Sequence, residues 1–191
     1  MVKIVILLGF VFFNLNAMIG SRVDSRLKDP LMGAVVTLEP DHYEIHEGDH
    51  YFICSYESKN VTEQINYIVT TPNTDKYLHM VFDVFATDKV SVNVYEAISG
   101  VTIGAGSTII PKNNNRNSSN LSVGTFVKDP DTVSNLGTLL FSQSSGANKD
   151  AGNISRDKEI ILLKNTSYLF RIISGANSNI ISYCANWYEH E

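Results

Sequence analysis

Tyr77-Leu78-His79-Met80-Val81-Phe82-Asp83-Val84-Phe85-Ala86 is the stretch that decides the fold class. Leu78, Met80, Phe82, Val84 and Ala86 share one side of an extended chain. Tyr77, His79, Val81, Asp83 and Phe85 share the other. Successive side chains of a β-strand point to opposite faces, so this period of two predicts a half-buried strand. Val90, Val92 and Val94 alternate with Ser91, Asn93 and Tyr95 in the same way.

Comparable runs, rich in Val, Ile, Thr, Tyr and Phe and bounded by Gly, Asn, Asp and Pro, recur on both sides of this stretch. Residues 34–38, 50–56, 65–71, 101–103, 108–110, 123–127, 137–142, 159–163, 167–173 and 179–188 read as strands. Residues 42–47 read as another, paired with 50–56 in a hairpin about Gly48-Asp49. In the last run Tyr183, Ala185 and Trp187 share a face, which is expected to be core. Only residues 155–158 hint at a helical turn. The expectation is an all-β protein, an antiparallel β-sandwich, jelly-roll-like, of about ten strands.

Residues 1–17 form an apolar, signal-like leader or N-terminal arm, with Lys3 before the apolar run 4–13 and Ala17 as a candidate cleavage point. That run is too short for a membrane span, which needs about 20 apolar residues. Residues 18–33 read as a polar linker, and residues 34–191 as a single β-sandwich domain.

Composition narrows the function. Charged residues make up 18% of the 191, against about 25% in an average soluble protein, and Asn, Ser and Thr take their place. The net charge is -5 and the 15 basic residues are scattered. Direct binding of nucleic acid relies on clustered Lys and Arg, so it is not expected. No Gly-x-Ser-x-Gly elbow, Walker A loop or dinucleotide fingerprint occurs, and Gly104-Ala105-Gly106 lacks the third glycine. A non-catalytic protein without a cofactor is expected, although a hydrolase built on paired carboxylates would leave no local motif.

His42, His46 and His50 recur every four residues beside Glu44, Glu47 and Asp49. They are weak metal candidates, because a zinc site needs three or four converging ligands, and a polar hairpin explains them equally well. Cys54 and Cys184 leave two readings open. Side by side on the first and last core strands, they would bridge and stabilise the fold by about 4 to 5 kcal/mol. Their apolar neighbours slightly favour two buried free thiols instead. Five Asn-x-Ser/Thr sequons occur, at Asn60, Asn117, Asn120, Asn153 and Asn165.

Two loops carry the composition bias, residues 112–120 and 144–153. Binding commonly sits on loops held by a rigid scaffold. Lys112, Asn114, Arg116, Asn117, Asn120, Asn148 and Lys149 are therefore the candidate binding surface, with exposed strand edges beside them. Tyr188 is a candidate exposed aromatic for a carbohydrate.

The phrases Ile68-Val69-Thr70-Thr71-Pro72-Asn73-Thr74, Asn113-Asn114-Asn115-Arg116-Asn117-Ser118-Ser119-Asn120 and Tyr168-Leu169-Phe170-Arg171 resemble a group of small tailed-bacteriophage virion-associated proteins. So does the ending, from Ser174-Gly175-Ala176-Asn177 to Trp187-Tyr188-Glu189-His190. The resemblance covers residues 34–191. It implies a structural part of the virion, a capsid decoration (cement) protein or a head or tail accessory. Its partners would be viral capsid or tail subunits and further copies of itself, as a homo-oligomer such as a trimer. The secretory-like leader departs from that pattern and points to the alternative, a secreted β-sandwich binding module with a carbohydrate as its ligand.

Overall fold

A computed structural model describes residues 40–104, 108–146 and 152–191, so the leader, the linker and the run at 34–38 lie outside the described residues. Among the described residues the elements, in chain order, are one helix, α1 (Pro40–Glu47), and thirteen strands: β1 (His50–Lys59), β2 (Gln64–Thr70), β3 (Tyr77–Ala86), β4 (Val90–Glu96), β5 (Ser99–Thr102), β6 (Thr108–Ile109), β7 (Lys112–Asn113), β8 (Thr125–Lys128), β9 (Thr132–Asn135), β10 (Thr138–Ser145), β11 (Gly152–Ile161), β12 (Ser167–Ser174) and β13 (Asn179–His190).

Eight of these strands form one long hairpin rolled up on itself. The arm β1-β2-β3-β4 pairs with the arm β10-β11-β12-β13 in reverse order: β1 with β13, β2 with β12, β3 with β11 and β4 with β10, all antiparallel. Rolling then brings β3 against β13 and β4 against β12. The outcome is a five-stranded sheet, β11-β3-β13-β1-β7, and a six-stranded sheet, β10-β4-β12-β2-β8-β6. This is jelly-roll-like wiring. β5 and β9 pair separately.

Alternation along each strand builds the core between the sheets. Leu78, Met80, Phe82, Val84 and Ala86 of β3 all face inward and are buried, as are Tyr183, Ala185 and Trp187 of β13. Aromatic rings run through this core. Trp187 stacks on Phe126 at 4.4 Å between centroids, Tyr67 stacks on Tyr183 at 4.3 Å, and Phe82 meets Phe170 edge-on at 5.3 Å. Each fully buried large side chain contributes about 1.5 to 3 kcal/mol. A smaller cluster of Ile68, Ile98, Val127 and Leu169, with Val101 and Val133 of the β5–β9 pair packed on it, forms a second core.

β13 is clamped at both ends by buried polar side chains. At its start, the Asn179 carbonyl accepts from Thr87 Oγ1 (3.1 Å) and the Asp88 N–H (2.9 Å). The Asn179 amide donates to the Lys89 carbonyl (2.8 Å) and Ser174 Oγ (3.3 Å). At its end, the buried Glu189 carboxylate accepts from Ser122 Oγ (2.5 Å), the Val123 N–H (3.0 Å) and Trp187 Nε1 (3.2 Å). Buried polar groups are tolerated when their hydrogen bonds are made, and here they fix which loops close each end of the sandwich.

Three local expectations are corrected. Residues 42–47 are helical, within α1, and not one arm of a hairpin. Pro40 opens the helix, where its fixed φ fits and its missing N–H costs nothing. Gly48, at φ +82°, closes it, with Gly48 N–H donating to the Ile45 carbonyl and Asp49 N–H to the Glu44 carbonyl. These are the two reversed bonds of a Schellman cap. Residues 155–158 belong to a strand rather than a helical turn. β11 runs from Gly152, and its register against β3 shifts between Arg156 and Ile160, as a bulge requires. Finally, Lys112–Asn113, read as part of a loop, makes a short strand, as does Thr132–Asn135, which the pattern leaves unassigned.

Burial of phenols gives the fold a pH limit. Burial pushes the hydroxyls of Tyr51, Tyr67, Tyr168 and Tyr183 above their ordinary pKa of 10.0. Between the unfolded and folded values the native state holds more protons, so stability falls as pH rises. The contribution is complete below pH 10 and is lost as pH climbs through the raised values. Expected on alkaline titration is that tyrosinate absorbance from these four rises together with the loss of β circular dichroism. Ionisation of all the tyrosines before unfolding would contradict it.

Candidate interaction surface

The outer face of the five-stranded sheet is laid out by register. Reading β1, β13 and β3 across, the rows are Tyr56–Ser182–Phe85, Cys54–Cys184–Asp83, Phe52–Asn186–Val81 and His50–Tyr188–His79. Tyr56 is 75% exposed and Phe85 51% exposed, two positions apart across the sheet. Asp83 is the one charged side chain within the first three rows. Such aromatic, charge-poor composition characterises the centres of protein interfaces.

Cys54 and Cys184 lie directly opposite each other on this face and form a disulfide, with their Cα atoms 4.2 Å apart. The Glu189 N–H donates to the Asp49 carbonyl, which makes 49 and 189 a hydrogen-bonded pair. Five residues on, 54 and 184 therefore form a non-hydrogen-bonded pair, where side chains approach closest. The reading of two buried free thiols is thus corrected. Both cysteines point outward from the sheet, and Cys54 is exposed.

The fourth row borders a groove of about 340 Å³, lined by His50, His79, Lys158, Glu159 and Tyr188 among others. Tyr188 is not a freely exposed platform. Its ring stacks on His79 at 4.5 Å and its hydroxyl donates to Glu159 Oε2 (2.8 Å). Glu159 Oε1 also lies 3.3 Å from His79 Nδ1.

The structure separates the metal candidates. His42 and His46 sit one turn apart on α1, with their Nε2 atoms 3.1 Å apart, because four residues span a helical turn. His50 lies on β1, where Asn114 Nδ2 contacts its Nδ1 at 2.6 Å. The hairpin expected between 42–47 and 50–56 does not form, so His46 and His50 do not face each other across paired strands. Among the described residues no group of three or more His, Cys, Asp and Glu side chains is placed to hold a metal. A cavity of about 280 Å³ between α1 and the end of β13 gathers Glu44, Glu47, Asp49 and Glu189 with Lys76 and His190. Burial raises the Glu44 pKa, with His190 and Lys76 opposing. Lys76 Nζ neutralises Asp49 at 2.8 Å.

The asparagine-rich loop is knitted to its surroundings rather than left free to bind. Buried Asn113 donates to the Gly48 carbonyl (2.6 Å), and its own carbonyl accepts the Asn115 N–H (2.8 Å). Asn115 Nδ2 donates to the His46 carbonyl (3.2 Å). Asn120 Nδ2 lies 3.5 Å from the Glu47 carbonyl and 3.3 Å from Asp49 Oδ1. Together these bonds satisfy carbonyls that the end of α1 leaves open. Asn114 and Asn120 thus serve the fold, Asn120 while still exposed, and Lys112, Arg116 and Asn117 are exposed beside them. Asn148 and Lys149 lie outside the described residues. Tyr56 and Phe85, the most exposed aromatics of the sheet face, were not among the candidates. The alternation that sends Phe85 to the face opposite Phe82 already carried the signal.

Compared with models of known protein families, with curated proteins and with solved structures, the chain has no significant match.

Proposed function

We propose that this chain is a non-catalytic structural protein of a phage virion, a capsid decoration or head/tail accessory subunit that docks on neighbouring subunits. The observation that carries the docking is the aromatic, charge-poor outer face of β1, β13 and β3, centred on Tyr56 and Phe85. The resemblance of residues 34–191 to virion-associated proteins supplies the setting. A stable contact buries about 1,200 to 2,000 Å² in total, so the flanking loops would have to join the sheet face in the contact.

The test is fractionation of particles from soluble material, comparing the native chain with a variant carrying Tyr56→Lys and Phe85→Lys. Both side chains project from the folded sheet, so the variant is expected to unfold like the native protein. The native chain should sediment with particles, and the variant should lose at least about tenfold in occupancy. A native chain found wholly outside particles would overturn the reading.

One observation favours a second reading, a secreted β-sandwich binding module. Disulfides persist in oxidising compartments, and the Cys54–Cys184 bridge suits one. The asparagines of all five sequons are exposed as well. A soluble chain whose measured mass starts near residue 18, and which binds on a glycan array, would establish that reading.

A further inference from the structure

Helix α1 carries a site of another kind. The chain has five histidines, and three of them are engaged by other residues: His50 by Asn114, His79 by Glu159 and His190 by Glu44. His42 and His46 are exposed and meet each other, Nε2 to Nε2, at 3.1 Å. We propose that these two rings form a two-point chelate for a first-row divalent metal ion, copper(II) most tightly, with water completing its coordination. The site does not depend on the docking face.

Geometry, ligand chemistry and charge each contribute to that assignment. Four residues along a helix bring two side chains onto one face, and histidines so spaced are a recurrent pair of metal ligands. With metal–nitrogen bonds of about 2.0 to 2.1 Å, the 3.1 Å separation sets an N–metal–N angle of roughly 95 to 100°. That angle lies between an octahedral right angle and a tetrahedral one, so the spacing suits either arrangement. In the free protein one Nε2–H donates to the other Nε2. When the ion binds, that proton passes through water to Nδ1 of the same ring, and both Nε2 lone pairs turn to the metal. The backbone that carries the two ligands is set in advance. Pro40 opens α1, the Gly48 turn closes it, and Asn115 Nδ2 donates to the His46 carbonyl. The helix also carries Asp41, Glu44 and Glu47 and no Lys or Arg, so its own charge favours a cation. Imidazole suits copper, nickel and zinc, and affinity along the first row peaks at copper(II). No thiolate competes, because the two cysteines of the chain are bridged. With two protein ligands the ion is exchangeable, unlike a structural zinc held by four.

The test titrates the full, tag-free chain with copper(II) sulfate. Its first equivalent should broaden the NMR ring signals of His42 and His46 before those of the other three histidines. Electron paramagnetic resonance should show two coordinated nitrogens. His42→Gln and His46→Gln should each weaken the site by at least about tenfold, because the second nitrogen no longer binds intramolecularly. Both rings are exposed, so the metal-free variants should unfold like the native chain, and one equivalent of copper should raise the unfolding midpoint of the native chain alone. The proposal is overturned if the first equivalent settles at another histidine or at the chain's amino terminus. Copper affinity equal to the native chain's in either glutamine variant overturns it too.

Discussion

Replacing Cys54 and Cys184 together by serine is expected to lower the free energy of unfolding by about 4 to 5 kcal/mol. The bridge closes a loop with a sequence separation of 130 residues, and on the chain-entropy model a cross-link of that length removes about 5 kcal/mol of freedom from the unfolded chain. The native state should barely change. β1 and β13 are held by a ten-residue register from His50↔Tyr188 to Lys59↔Asn179, and the core faces the other way. Urea denaturation of oxidised, reduced and double-serine protein measures the effect. Because Cys54 is exposed, excess dithiothreitol should reach the bridge and bring the native chain to the stability of the variant. A loss below about 1 kcal/mol would mean that the unfolded chain already keeps its two ends together, against the premise of the entropy model. For a virion protein the consequence is specific. Folding in a reducing cytoplasm would leave the bridge to form later, so thiol content before and after release from the cell separates the two functional readings.

The strands were legible where burial on one face imposes a period of two, as in β3 and β13. The errors have identifiable causes. His42-Tyr43-Glu44-Ile45-His46-Glu47 is too short to show its period, and its helical state is set at the ends, by Pro40 and Gly48. The asparagine-rich loop has the composition of a binding loop. Its side chains are spent on the carbonyls of α1 and the edge of β1, and only the three-dimensional fold puts those carbonyls within reach. Apolar neighbours of Cys54 and Cys184 suggested burial, yet alternation sends Ile53 and Tyr183 inward and the sulfurs outward.

Glu189 shows how far alternation can be carried. Read as part of a polar tail, it looks like a solvent-facing charge. Continuing the inward series Ile181, Tyr183, Ala185, Trp187 by one more step puts it in the core, where it is 1% exposed. Its carboxylate holds the loop before β8 by accepting from Ser122, Val123 and Trp187. Glu189→Leu, close in size but without an acceptor, leaves buried Trp187 Nε1 unsatisfied and strips the half-buried Ser122 and Val123 donors of their partner; at about 1 to 3 kcal/mol for the buried donor and about 1 kcal/mol for each of the other two, a loss of about 3 to 5 kcal/mol is expected. Glu189→Gln should cost far less, about 1 kcal/mol, because its carbonyl can take the position of Oε1, the oxygen that all three donors contact. Urea midpoints of the two variants provide the comparison. If leucine costs no more than glutamine, apolar packing around Trp187 holds this end of the sandwich and the carboxylate does not. If the expected gap appears, the loop at 121–124 should also lose amide protection first in the leucine variant, since Val123 N–H then has no acceptor there.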